Sequence, residues 1–291
     1  MPRTPKSTEL VGLPRRSALR NEGDAPLVTP AGVAIPPARM PMLFASRMLK
    51  RWRYVGVWSA SLSLSVTIVR VGAAYQAWWA VWDHERLWEH TYMWPGPVDL
   101  GDGKVVVRDR DVVIELGLEK ISSFQVVTFD DRAYTWTGKE LVRAMGSVRI
   151  RGREHRVEAI GMVDDSAGYH PRHTHYKWAA GAGTDIRGRS VAWNLVVGIN
   201  DLVPTSEQTV WVDGEVREVG PVQIADDLSL ITSGDGERLE FHSEAMRQKS
   251  TNLLLIRSMY SQPYGSFSGV LPGGIELLEG YGVMEDHVAV W

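Results

Sequence analysis

The sequence predicts an all-β fold: two antiparallel β-barrels or sandwiches packed together, preceded by an extended N-terminal arm. Three observations predict it. Apolar residues recur at every second position, as in Leu62, Leu64, Val66 and Ile68 with Ser63, Ser65 and Thr67 between them. Such runs recur along the chain at intervals of roughly 8–12 residues, the spacing of a sandwich or barrel rather than of β/α units. Turn words separate the runs, and Asp213-Gly214 is the strongest hairpin signal among them. So many strands exceed one small barrel. The expected division is an arm over 1–45, a first barrel domain over 46–160 and a second over 161–291.

Eight prolines from Pro2 to Pro41 break any long element in the arm. Apolar words such as Leu10-Val11-Gly12-Leu13 are expected to anchor it, and a short helix is expected over 41–50. Strands follow at 52–58, 62–68 and 75–82, the last ending at Asp83. An aromatic connection over 86–97 leads to a turn at 101–103. Short strands at 104–107, 112–116, 121–129 and 134–137 precede a hairpin of 147–150 with 155–162. Beyond it, strands are expected at 173–178, 190–199, 209–212, 216–219, 222–225, 228–231, 238–242, 252–259, 266–271, 275–278 and 287–291. One helical turn is expected at 244–249.

The 291 residues are 44% hydrophobic, enough for a full core, and the net charge of -3 argues against a nucleic-acid binder. With no cysteine, disulfides, iron–sulfur clusters, thiolate nucleophiles and Cys-ligated zinc are excluded. No run reaches the roughly 18 apolar residues of a membrane helix. The N-terminus lacks the apolar stretch of a signal peptide, so a cytoplasmic chain is expected. No GxGxxG, GxxxxGK[ST] or GxSxG word supports nucleotide binding or serine hydrolysis, and no cofactor is expected. Twelve tryptophans against five phenylalanines suit either core packing or a cavity for an apolar ring-containing ligand.

Polar groups concentrate in one stretch, 168–201. Alternation puts His173, His175 and Lys177 on one strand face and Thr174, Tyr176 and Trp178 on the other, with His170 and Arg172 at the strand's start. Three readings stay open. His173 or His175 can transfer a proton. His170, His173 and His175 can ligate a metal. Or the cluster is a buried hydrogen-bonded network. On the next strand, Trp193 and Asn194 can orient a ligand. On the last, Glu285 and His287 share a face, with Tyr281 nearby. Asp83 and Trp79 belong to a Trp-rich strand that could wall a cavity.

The words GYHPRHTHYKW, VAWNLVVGIND, TVWVDGE, QPYGSFSGVLPGG and EGYGVMEDH together resemble a bacterial family known as domain of unknown function 2804. That family is distantly similar to lipocalin-like two-barrel proteins, which include carotenoid hydratases, tocopherol cyclase and some pericyclases. The resemblance implies two lipocalin-like barrels around an apolar ligand, and it puts His173 and Glu285 at catalytic positions. The expected activity is acid/base isomerase, hydratase or cyclase chemistry. His173, His175 and Glu285 would be catalytic; His170, Arg172, Asn194, Trp193, Tyr281, His287, Asp83 and Trp79 would bind the ligand. A non-catalytic lipid or terpenoid carrier or sensor is the alternative, and a metal-dependent enzyme the third.

Overall fold

The computed structural model describes residues 17–290 apart from 95, 102, 131, 203, 204, 254 and 255. The Leu10–Leu13 anchors lie outside the described residues.

Two long antiparallel sheets account for nearly all of the regular structure. In the first, the strand order is Leu87–Tyr92, Ala74–Trp82, Ser63–Val71, Lys50–Trp58, Arg153–Gly168, Tyr134–Ile150, Val112–Phe129, Lys104–Arg108, Val98–Asp99. The second runs Glu215–Glu218, Thr209–Val212, Ser190–Val197, His173–Asp185, Ile275–Val290, Ile256–Leu271, Arg238–Leu253, Leu230–Ser233, Val222–Ile224. The chain changes sheet at 169–172, whereas strand spacing alone placed a boundary near 160. Each sheet curls into a half-barrel, which makes the all-β two-barrel architecture.

Curling needs places where strands approach and bend. Gly181 pairs with Gly282, and Gly282 with Gly265, so three adjacent strands present glycine at one level. A Cβ at Gly181 would overlap the Trp193 ring, and the second half-barrel closes over that ring because none is there.

Alternation sorts every strand between two environments. Val55, Val57, Leu64, Val66, Trp79 and Val81 fill the first half-barrel. Trp193, Leu195, Val210, Phe267 and Met284 fill the second. The opposite faces meet between the sheets, where Tyr54, Trp58, Trp78, Trp82, Trp178, Trp211 and Tyr264 are buried together. Tryptophan therefore lies both in the half-barrel cores and along the between-sheet face.

Several expected elements differ. The 41–50 segment is a tight hairpin of Leu43–Phe44 with Arg47–Met48, and Ala45 and Ser46 turn at positive φ. Its Phe44 packs with Val33, Met40 and Leu49 beneath the arm. The helical turn expected at 244–249 is part of the strand Arg238–Leu253, and the aromatic connection holds the strand Leu87–Tyr92. The runs 112–116 and 121–129 are one strand with a bulge between Lys120 and Ser122. Its halves have different neighbours, Lys104–Arg108 beside the first and Ser17–Glu22 beside the second.

Candidate functional site

A cavity of about 200 Å³ opens between the two sheets. The first sheet contributes Trp52, Tyr54, Thr67, Trp78, Lys139 and Asp164; the second contributes Tyr176, Trp178, Arg247, Tyr260, Glu285 and His287. Its wall is mainly apolar and includes several tryptophan and tyrosine rings, with a few convergent polar groups, as ligand sites commonly are.

Strand alternation fixes which side chains enter. On His173–Asp185, Thr174, Tyr176 and Trp178 face the cavity. His175, 59% exposed, points the other way and meets Asp286 at 2.9 Å. His173 and Arg172 are also exposed and do not line the cavity. Lys177 leaves on the histidine face toward Asp226. The two histidines expected to move protons thus stand outside the enclosed space, because the strand's inward face is the Tyr176 face.

Glu285 is at the centre. It is 4% exposed, and both its oxygens are engaged. Oε1 accepts from the Tyr176 hydroxyl at 2.6 Å, and Oε2 from Tyr260 at 2.9 Å and Gln262 at 3.1 Å. Burial pushes its carboxyl up to about 7, against the opposing pull of the two tyrosine hydrogen bonds. Burial, then the Glu285 charge, holds the Tyr176 and Tyr260 hydroxyls well above their usual range. Both therefore stay protonated as donors.

His287 extends this network. Its Nδ1 lies 3.1 Å from the Tyr176 oxygen and its Nε2 2.8 Å from Ser258 Oγ. Burial lowers its pKa to about 4, so the ring is neutral near pH 7. Since Tyr176 donates to Glu285, the tautomer that fits carries its proton on Nδ1 and accepts from Ser258. A line of hydrogen bonds then runs from Ser258 through His287 and Tyr176 to Glu285.

A second buried charge group faces the same space. Lys139, 2% exposed, meets Asp164 at 2.7 Å and Glu207 at 3.6 Å, and its ammonium lies 5.3 Å from the Trp178 ring centre. Burial opposes its charge, but the two carboxylates outweigh that and raise its pKa. Burial pushes Glu207 upward as well, the nearby lysine notwithstanding. Arg247 stacks 4.0 Å from the Trp78 ring centre and reaches Glu89 at 3.0 Å, joining the two sheets at one edge.

Of the residues expected from sequence, His170, Glu285 and His287 line the cavity. His170 is 2% exposed and its ring centre lies 4.8 Å from that of Trp52. Burial, then the Lys50 charge, lowers its pKa to about 3, overcoming a weak backbone contact with Gly168. Asn194 is buried but structural: it accepts from Trp178 Nε1 at 2.8 Å and donates to the Glu207 carbonyl at 2.7 Å. Trp193 belongs to the second half-barrel's core and Trp79 to the first, where its Nε1 reaches Asp109 at 3.1 Å. Asp83 caps a turn by accepting from the amides of Glu85 and Arg86. Tyr281 packs at the margin of the between-sheet core. Among the described residues no group of three or more His, Asp or Glu side chains is placed to hold a metal ion. His170 is enclosed beside Trp52 while His173 and His175 face outward, so the trio expected as metal ligands is not assembled.

Sequence reading missed Tyr176, Tyr260, Lys139, Asp164, Glu207 and Arg247. Lys139 carried a signal: a lysine two residues from Thr137 on a strand face that is otherwise apolar or small. Glu207 carried none, because its loop has no period from which a facing can be read.

Fold and site define a two-half-barrel β protein of lipocalin-like type, with an aromatic, acid-bearing cavity between its sheets. The chain belongs to the family described as Domain of unknown function (DUF2804), whose family model matches residues 107–291. No curated protein matches the sequence. Among solved structures, a protein provisionally named AttH from Nitrosomonas europaea is similar with a TM-score of 0.53 at 12% identity, over 87% of this chain and 98% of that one. Kievitone hydratase from Nectria haematococca gives 0.49 at 9% identity over 83% and 89%. CghA gives 0.43 at 13% over 94% and 98%. The first of these shows the shared fold. Among the described residues no helix is long and apolar enough to cross a membrane.

Proposed function

We propose that this protein binds an apolar, ring-containing small molecule between its sheets and performs acid/base chemistry on it, of the isomerase, hydratase or cyclase type. The observation that carries the reading is Glu285, buried in an aromatic cavity and held by two tyrosine hydroxyls. A carboxyl brought near neutrality can both take and return a proton at working pH. In this reading a ligand proton passes to the Tyr176 or Tyr260 oxygen as that hydroxyl's own proton passes to Glu285. Return of the proton at another ligand atom completes an isomerisation; its delivery to a leaving hydroxyl, or the reverse, eliminates or adds water. Exclusion of water strengthens each of these interactions.

The test is to incubate purified protein with an apolar small-molecule extract, remove free compounds and compare native with denaturing mass spectra. The reading expects a stoichiometric organic excess that is lost on denaturation. A protein that retains nothing refutes it. Retained compounds that are never converted would favour the carrier or sensor instead.

A further inference from the structure

The cavity's charges are distributed unevenly. Its carboxyls lie inside: Glu207 and Glu285 are buried, and Asp164 is held by Lys139. Ala74, Met93 and Lys249 are the exposed members of its lining and mark its opening. Arg247, buried, bridges the strands Arg238–Leu253 and Leu87–Tyr92 through Glu89 and Thr91. Two residues further along, Lys249 lines the cavity but is exposed and makes no ion pair among the described residues. Around it the lining is Val69, Val71, Tyr75, Gln76 and the exposed Met93.

The sheet register gives the distance scale. Lys249 is level with Tyr260, and Tyr260 with His287, one strand further on. Two strand spacings, about 10 Å, therefore separate the Lys249 backbone from the strand that carries Glu285. An anionic group placed deep in the cavity would face three carboxyls, and the two cations there, Lys139 and Arg247, are already paired with carboxylates. At the opening it would meet an ammonium beside apolar wall.

From this we infer that Lys249 is the anchoring site for an anionic group, a carboxylate or sulfonate, on an amphiphilic ligand whose apolar ring body lies against the tryptophans. The inference rests on the cavity reading above and adds the ligand's polarity and orientation: anion at the opening, reacting carbons beside Glu285, whose strand lies about 10 Å from that of Lys249.

A matched pair of fluorescent probes separates the two claims. Anilinonaphthalene sulfonate carries the anion, and neutral phenyl naphthylamine has the same rings without it. Both are expected to bind and to displace each other. Lys249→Gln should weaken the sulfonate about threefold to fivefold, the scale of a part-exposed ion pair, and leave the neutral probe unchanged. Lys249→Arg should restore sulfonate binding, and added salt should weaken the sulfonate alone. If Lys249→Gln leaves the sulfonate unaffected while the neutral probe still binds, the anion site is refuted and the cavity reading stands. If neither probe binds the unmodified protein, the cavity reading fails and this inference fails with it.

Discussion

The Tyr176 hydroxyl donates to Glu285 across 2.6 Å, while the residue before it, His175, meets Asp286 on the opposite face of the same two strands. One pair of neighbouring strands therefore carries two acid-containing pairs, one enclosed and one at the surface. Chemistry that depends on a water-excluded proton belongs to the first.

Replacing the surface histidines is accordingly expected to do little. His173→Ala and His175→Ala should each change stability by less than about 1 kcal/mol, since an exposed pair such as His175–Asp286 contributes at most that much. Urea denaturation and neutral-probe affinity, measured on the same samples, check this. A large loss of probe binding in either variant would return these residues to the site.

The pH dependence of stability isolates Glu285. Its folded pKa, about 7, is raised above the ordinary carboxyl value, so the folded state holds the extra proton. Its contribution is fully present below about pH 4.5 and is lost as pH rises through about 7. His287 and His170 act in the opposite sense. Their folded values, about 4 and about 3, lie below the ordinary histidine range, so stability is lost as pH falls from about 6.5 through those values. Glu285→Gln keeps a neutral side chain at every pH. Its melting temperature should therefore rise relative to the unmodified protein between pH 5 and 8. Parallel curves across that range would mean that Glu285 does not titrate there.

Asn194 ties Trp178 to the Glu207 carbonyl; its loss leaves the buried Trp178 N–H without its acceptor, while the Glu207 carbonyl keeps only the Thr209 hydroxyl. Asn194→Ala should cost about 2 kcal/mol in equilibrium unfolding. Because Trp178 forms the cavity wall, neutral-probe binding should weaken as well. An unchanged denaturation midpoint would contradict the role.

Gly181 is a packing requirement. Any side chain there meets the Trp193 ring and the Tyr281 carbonyl oxygen. Gly181→Ala should destabilise by about 2–3 kcal/mol, read from the urea midpoint.

Much of the fold was legible because alternation and turn words are local signals. The Leu62–Ile68 alternation and the Asp213-Gly214 turn both have their expected counterparts in Ser63–Val71 and in Thr209–Val212 paired with Glu215–Glu218. The long strands were not legible as units. In Val112–Phe129 the middle residues from Gly117 to Ile121 are largely exposed, so the apolar period lapses where the strand continues. In the site, alternation separated the His173/His175 face from the Tyr176/Trp178 face correctly. It could not say which face turns inward, because both carry polar groups and the choice depends on the opposing sheet. Glu285 and His287 were found because a carboxylate and an imidazole two residues apart on a strand must share a face. Lys139 and Asp164 lie opposite each other across the hairpin of Tyr134–Ile150 with Arg153–Gly168, whereas Glu207 reaches them from a distant loop, a proximity that only the folded chain supplies.

The most direct test compares the unmodified protein with Glu285→Gln in one extract of apolar small molecules, following bound and released compounds by mass. The account predicts that both retain the same compounds, that only the unmodified protein alters them, by rearrangement or by gain or loss of water, and that the variant stays folded. Equal conversion by Glu285→Gln, or retention by both proteins with no conversion, would contradict it.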